Sequence, residues 1–217
     1  MIIDIIAGAR PNFMKIAPII EAIENAKSNG HNINYRLVHT GQHYDSKMSG
    51  DFFTQLGIPE PHLNLGAGGG SQAEQTSAIM IGYEKAIMDQ RPDLVVIVGD
   101  VTSTMACSVT AKKMNNITVA HVEGGIRSRD LTMPEEINRL VTDAITDLFF
   151  TTSESANQNL KNEGVPKDKI HFVGNTMIDT LLKQMPNFRK PEFFDKLDLK
   201  VGEYIVMTLH RPANVDV

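Results

Sequence analysis

The chain has 217 residues, 41% of them hydrophobic and 22% charged, an ordinary globular make-up with room for one large domain or one domain plus part of another. Its 21 basic and 26 acidic residues give a net charge of −5, which argues against a nucleic-acid binder with a basic stripe but leaves room for an anionic small molecule held by a few arginines. The single cysteine, Cys107, excludes an internal disulfide and fits a reducing cytoplasm; the opening MIIDIIAGARPNF lacks the basic region of a secretory signal, and no apolar run reaches membrane-spanning length.

Short apolar runs at residues 2–7, 35–39, 94–98, 118–122, 148–152, 170–173 and 204–208 read as β-strands. Several are almost continuous in valine and isoleucine, as parallel strands buried on both faces are. Amphipathic segments lie between them. Ile16, Ile19, Ile20 and Ile23 share one helix face, and so do Thr76, Met80, Tyr83 and Ile87. The alternation predicts an α/β fold, a doubly wound parallel sheet of Rossmann-like type, with ligands at the carboxyl ends of the strands. The glycine-rich 66–71 reads as a flexible loop with Ser71 capping the next helix. Residues 1–185 form the first domain. The prolines and mixed charge of 186–202 read as an inter-domain connection. The run 204–208 with its polar tail cannot bury itself, so residues 203–217 are read as the first strand and loop of a second, truncated α/β domain.

The chemistry-bearing residues cluster after strands. Gly8 to Asn12 (GARPN) follows the first strand and opens a helix, where small residues and a helix N-terminus suit an anion, with Arg10 and Lys15 adding charge. Asp100 follows the run 94–98; a plain helix cap is its alternative. The stretch VAHVEGGIRSRDLTMPEEINR, residues 119–139, is the densest in carboxylates and guanidinia. His121 and Glu123 end its strand, and alternation puts them on one face. Glu135 and Glu136 open a helix, where acidic groups suit the dipole, and a plain dipole complement is the alternative for Glu135. His210 and Arg211 end the last apolar run, and His210 is either an acid–base group or an idle loop histidine. His39 and His43 read as structural or substrate-lining, since no metal-ligand spacing accompanies them. Cys107 reads as a core residue within the helical stretch 103–114. Jointly, Arg10, Asp100, Glu123 and His210 all sit at predicted carboxyl ends, which share one crevice in a doubly wound sheet. Several carboxylates beside anion clamps suit proton transfer next to a phosphate-bearing leaving group.

The motifs GARPNFMKIAPI, LVHTGQHYD, GSQAEQT, VVIVGDVTST, AHVEGGIRS, MPEEINR, GNTMIDTL and TLHRPANVD run in order along the chain. Together they resemble the non-hydrolysing UDP-N-acetylglucosamine 2-epimerases, which share a two-domain fold with the GT-B glycosyltransferases. The resemblance implies a first domain of a GT-B-like enzyme acting on a UDP-sugar by proton removal at C2, loss of UDP from C1 and re-addition through a 2-acetamidoglucal. It implies Asp100, Glu123, Glu135 and His210 as catalytic residues. It places Arg10 and Lys15 near the diphosphate, with Arg127 and Arg211 as further substrate-binding candidates. It implies no nicotinamide or other cofactor, no metal, a cytoplasmic homodimer formed through the first domain, and a role in nucleotide-sugar supply for cell-surface polysaccharide. Tyr44, Asp45 and Glu74 depart from the residues that serve allosteric activation in some bacterial members. Epimerisation of another UDP-2-acetamido sugar, GT-B transfer to an acceptor, and a non-catalytic binding or dimerising fragment are the alternatives.

Overall fold

A computed structural model describes residues 1–41, 53–114 and 117–208. His43, Tyr44, Asp45, His210 and Arg211 lie outside them. The chain divides into two compact units, Met1–Lys183 and the segment from Gln184 onward.

The first unit is built on seven parallel strands: β1 (Ile2–Ala7), β2 (Asn34–His39), β3 (Leu63–Asn64), β4 (Leu94–Val98), β5 (Thr118–Val122), β6 (Leu148–Thr151) and β7 (Ile170–Phe172). Their order across the sheet is β3-β2-β1-β4-β5-β6-β7. The helices are α1 (Arg10–Ser28), α2 (Gln72–Asp89), α3 (Thr102–Lys113), α4 (Pro134–Ile145), α5 (Glu154–Asn162) and α6 (Thr176–Gln184). The order reverses between β1 and β4, so the crevice beyond their carboxyl ends is the switch point where doubly wound folds bind ligands. Among the described residues, no helix is long and apolar enough to cross a membrane.

Alternation divides the core between the two sheet faces. Ile3, Ile5, Val96, Val98, Ala120 and Val122 pack with Phe13, Ile16 and Ile20 of α1. Ile6, Val95, Ile97 and Val119 pack with Ile79, Tyr83 and Ile87 of α2 and Cys107 of α3. Each such side chain, once fully buried, contributes about 1.5–3 kcal/mol. Ser71 caps α2 as its sequence predicts: its hydroxyl accepts from Glu74 N–H, and Glu74 returns a bond to Ser71 N–H at 2.7 Å.

One charge interrupts this apolar interior. Asp4 of β1 is fully buried and stands in register with Arg36 of β2. Arg36 grips its carboxylate through Nε (2.9 Å) and Nη2 (2.8 Å), and the Tyr83 hydroxyl donates to it at 2.9 Å. Burial, and then the Asp4 charge, push the Tyr83 phenol well above its ordinary pKa. The three groups tie β1, β2 and α2 together.

Helix α4 turns its charged side inward. Glu136, Asn138, Arg139, Thr142 and Asp143 are buried while Ile137 is 43% exposed. The Glu136 carboxylate accepts from the amides of Ser128 (3.0 Å) and Arg129 (2.8 Å) and from Arg139 Nη1 (2.5 Å), pinning the loop after β5. Burial acts to raise the Glu136 pKa, but the two amides and Arg139 outweigh it and bring it from 4.5 down to about 2.

In the second unit, α7 (Glu192–Lys196) follows a 3₁₀ turn, and Phe194 meets Tyr204 edge-on. The strand expected at 204–208 is absent: the segment joins no sheet, and Ile205 and Val206 are 93% and 81% exposed. An apolar run becomes a strand only where a neighbour offers backbone partners, and none does so among the described residues. Conversely β3, two residues long, escapes any periodicity.

Asp4→Asn should cost about 3–5 kcal/mol, because it leaves Arg36 buried without its counter-charge, whereas the double change Asp4→Leu with Arg36→Met should recover most of that loss. Urea midpoints of the three proteins test this, and a double variant no better than the single one would refute it. Because the folded Glu136 pKa is depressed, its stabilisation is complete above pH 4.5 and is lost as pH falls toward 2. The difference in urea midpoint between the wild type and Glu136→Gln should therefore be flat above pH 5 and shrink below 4.5.

Candidate active site

Three chain segments meet beyond the switch point. The first is the turn after β1. Asn12, 2% exposed, accepts from Gly8 N–H (3.0 Å) and Ala9 N–H (2.9 Å) and donates to the Val98 carbonyl of β4. Gly8 cannot be larger, since a Cβ there would lie 2.1 Å from Ser103 Oγ. Ser103 in turn shares a 2.6 Å hydrogen bond with Thr40 at the end of β2. A single buried amide and a pair of hydroxyls thus fix where α1 begins and where its side chains project.

The second segment is Gly99-Asp100 after β4. Gly99 has φ +68°, in the left-handed region glycine favours. A Cβ there would come within 3.0 Å of Lys15 Nζ, 3.7 Å of Glu123 Oε2 and 3.8 Å of Asn12 Nδ2, so these three groups converge over it. Asp100 does not cap α3: the N-cap is Val101. Its carboxylate instead receives Arg139 Nε (3.1 Å) and Nη2 (2.6 Å), both on Oδ2, and its carbonyl accepts from Asn138. The carboxylate remains one-third exposed, facing solvent while anchored from behind.

The third segment is the turn after β5. Glu123 has φ +71°, an uncommon conformation for a residue with a side chain. This overturns the expectation that His121 and Glu123 share a face. Alternation ends at Val122, and the left-handed residue swings Glu123 to the α1 side, where Lys15 Nζ lies 2.5 Å from its Oε2. His121 instead points toward α4 and meets Asp143. The Lys15–Glu123 pair is almost enclosed, with 12% and 11% of the side chains exposed.

The other candidates fall in different places. Arg10 is exposed at the first position of α1. Glu135 is half-buried in the first turn of α4. Arg127 is not presented to the crevice as a substrate-binding arginine would be. Its guanidinium, 4% exposed, makes four hydrogen bonds, to Asp143, to both oxygens of Glu163 and to the Ile126 carbonyl. His39 is buried, stacks on Phe13 at 5.5 Å and accepts from Gly41 N–H; burial pulls its pKa down. Cys107 is fully buried, as expected of a core residue. Among the described residues, no three His, Cys, Asp or Glu side chains are grouped to hold a metal ion. His210 and Arg211 lie outside the described residues.

Sequence reasoning missed Asn12, His121, Asn138, Arg139 and Asp143 as supports of the site. One signal was available: Glu136, Arg139 and Asp143 recur at i, i+3 and i+7, the spacing of a buried helix face, and they are charged.

The site as built offers two carboxylates, Asp100 and Glu123, at adjacent strand ends. Each is paired with a cation, Asp100 with its carboxylate one-third exposed and Glu123 almost enclosed beside the first turns of α1. That arrangement can move protons beside an anionic group.

A profile of the family described as UDP-N-acetylglucosamine 2-epimerase matches residues 25–217. The UDP-N-acetylglucosamine 2-epimerase of Methanocaldococcus jannaschii is 41% identical over 220 residues, which cover 100% of this chain and 58% of the relative. A crystal structure of a UDP-GlcNAc 2-epimerase from the same organism, in complex with UDP-GlcNAc and UDP, superposes with a TM-score of 0.87 over 100% of this chain and 59% of that one, at 41% identity. The UDP-2,3-diacetamido-2,3-dideoxy-D-glucuronate 2-epimerase of Pseudomonas aeruginosa is 38% identical over 97% of this chain and 58% of its own. The chain thus spans little more than half the length of these relatives, and its parallel sheet corresponds to the first domain of a GT-B-like architecture. On this agreement of sequence, fold and motif order, the chain belongs to the UDP-N-acetylglucosamine 2-epimerase family.

Proposed function

We propose that the full-length protein interconverts UDP-N-acetylglucosamine and UDP-N-acetylmannosamine. A base takes the C2 proton, the C1–O bond breaks to release UDP, and a 2-acetamidoglucal remains. UDP then re-adds at C1 while a proton arrives at C2 from the other face. Epimerisation needs acid–base groups on both faces of the ring. The observation that carries this reading is the placement of Asp100 and Glu123 on two neighbouring strand ends at the switch point, each with its own cation. Glu135 and His210 complete the catalytic set in this reading. Arg10, Lys15 and Arg211 meet the diphosphate, whereas Arg127 serves the scaffold. Residues 203–217 open the second domain, which supplies most of the uridine contacts. No nicotinamide takes part, because elimination and re-addition of UDP oxidise no carbon of the sugar at any step. A cytoplasmic homodimer feeding polysaccharide synthesis completes the reading.

The Pseudomonas relative acts on a diacetamido uronate, which supports C2 chemistry more firmly than the identity of the sugar. Another UDP-2-acetamido sugar is therefore the nearest variant. Glycosyl transfer on the same architecture is the second reading. The pairing of two separate carboxylates with cations speaks against it, since a transfer needs less acid–base capacity.

Proton NMR of UDP-N-acetylglucosamine in D₂O with the full-length protein should show deuterium entering C2 and new UDP-N-acetylmannosamine signals. Release of free N-acetylmannosamine would replace the proposal with a hydrolysing reaction, and no exchange would sink it for this sugar. Glu123→Gln should keep the fold and lower C2 exchange by about 10²–10⁴-fold; unchanged exchange would remove Glu123 from the chemistry. Residues 1–217 alone should bind UDP far more weakly than the full-length protein by calorimetry, and equal affinity would refute the part given to the second domain.

A further inference from the structure

His121 lies beneath the site and touches none of the crevice groups. It is 1% exposed, and both its ring nitrogens meet acceptors. Nε2 is 2.8 Å from the carbonyl oxygen of Gly99, and Nδ1 is 2.6 Å from Asp143 Oδ1. The Gly99 carbonyl can only accept, so Nε2 carries a hydrogen and donates to it.

The partners explain how such a ring is tolerated in the interior. Asp143 Oδ2 accepts from Gly125 N–H (2.9 Å) and Arg127 Nη1 (2.6 Å), and Arg127 continues to Glu163. Burial acts to raise the Asp143 pKa, but His121 and Arg127 overcome it and hold the carboxyl below its ordinary value. The charges along Asp143, Arg127 and Glu163 alternate in sign. Above them Gly124 leaves no room for a side chain: a Cβ there would lie 2.9 Å from Phe149 and 3.3 Å from His121 Nδ1.

The consequence concerns the two turns that carry the candidate carboxylates. Gly99 precedes Asp100, and Gly125 closes the turn that begins at Glu123. His121 holds the first turn by its carbonyl, and Asp143 holds the second by its amide. We infer that His121 is a positioning residue: its Nε2–H fixes the Gly99 carbonyl and so sets Asp100 against Glu123, while Asp143 orients the ring from its other nitrogen. A displacement of about 1 Å at a reacting group can cost about 100-fold in rate.

The inference rests on the epimerase reading only for the reaction that slows. The test uses the full-length protein with two variants that separate the two ends of the ring. Glutamine places an amide near the Nε2 position and can still donate to Gly99, whereas asparagine places one near Nδ1 and cannot reach it. His121→Gln should keep kcat within about tenfold of the wild type, and His121→Asn should lose about 100-fold, with KM little changed in both. A residue that merely supports the fold would give losses that follow thermal stability in both variants, and that result overturns the proposal. Histidine ring ¹⁵N NMR of the wild type should show a hydrogen on Nε2 of His121, the peak being the one missing from the variants. A bare Nε2 overturns the proposal whatever the substrate, and decides the matter if neither variant folds. If the wild type turns over a different UDP-sugar, the proposed reaction fails, and the same kcat comparison is made on that sugar.

Discussion

A helix that faces the core with its charged side obliges the protein to match every charge it buries. Helix α4 buries Glu136, Arg139 and Asp143, and each has its partner: amides for Glu136, Asp100 for Arg139, and His121 with Arg127 for Asp143. Removing one partner from such a set is costly, whereas the complete set adds little net stability beyond what apolar packing of the same volume would give. Its contribution here is direction. Two turns and a loop with no regular structure are each held at a defined place by a group from one rigid helix. The carboxylates at the crevice therefore inherit their geometry from side chains a layer below.

The same logic separates the two halves of the site. On the α1 side, a salt bridge between Lys15 and Glu123 closes over Gly99, and the buried amide of Asn12 fixes the start of the helix that carries Lys15. On the α4 side, Arg139 holds Asp100 from behind. Each carboxylate is addressed by a cation from a different face of the sheet.

Much of the fold was legible because apolar runs and helical spacing are local. Six of the seven strands of the sheet could be placed to within a residue or two, and the Ser71 cap followed from a four-residue pattern. Two errors have the same root. Residues 204–208 have a strand's composition without a neighbour, and Leu63–Asn64 has a neighbour without a strand's length. Within the site, the positions of Asp100 and Glu123 after their strands could be read, but their partners could not. Lys15 and Glu123 are far apart in sequence, and nothing local announces their pairing. The left-handed turn at Glu123 defeated alternation, because a period of two holds only while the backbone stays extended. Asp4 was passed over, although a carboxylate within an otherwise apolar strand demands a cation once it is buried.

The sheet order also governs how the molecule comes to exist. β1 comes before the other strands in sequence and lies third of seven across the sheet, where one edge pairs with β2 after a single intervening helix. Its other edge waits for β4, whose Leu94 partners Ile3. Until that segment has left the ribosome, a strand rich in isoleucine presents a free row of amides and carbonyls, the kind of edge that recruits other chains. Contacts so distant in sequence form slowly. A nascent chain of this topology therefore passes through a vulnerable interval of its own making, and a cell that needs it in quantity must supply either dilution or a chaperone until the second edge is closed.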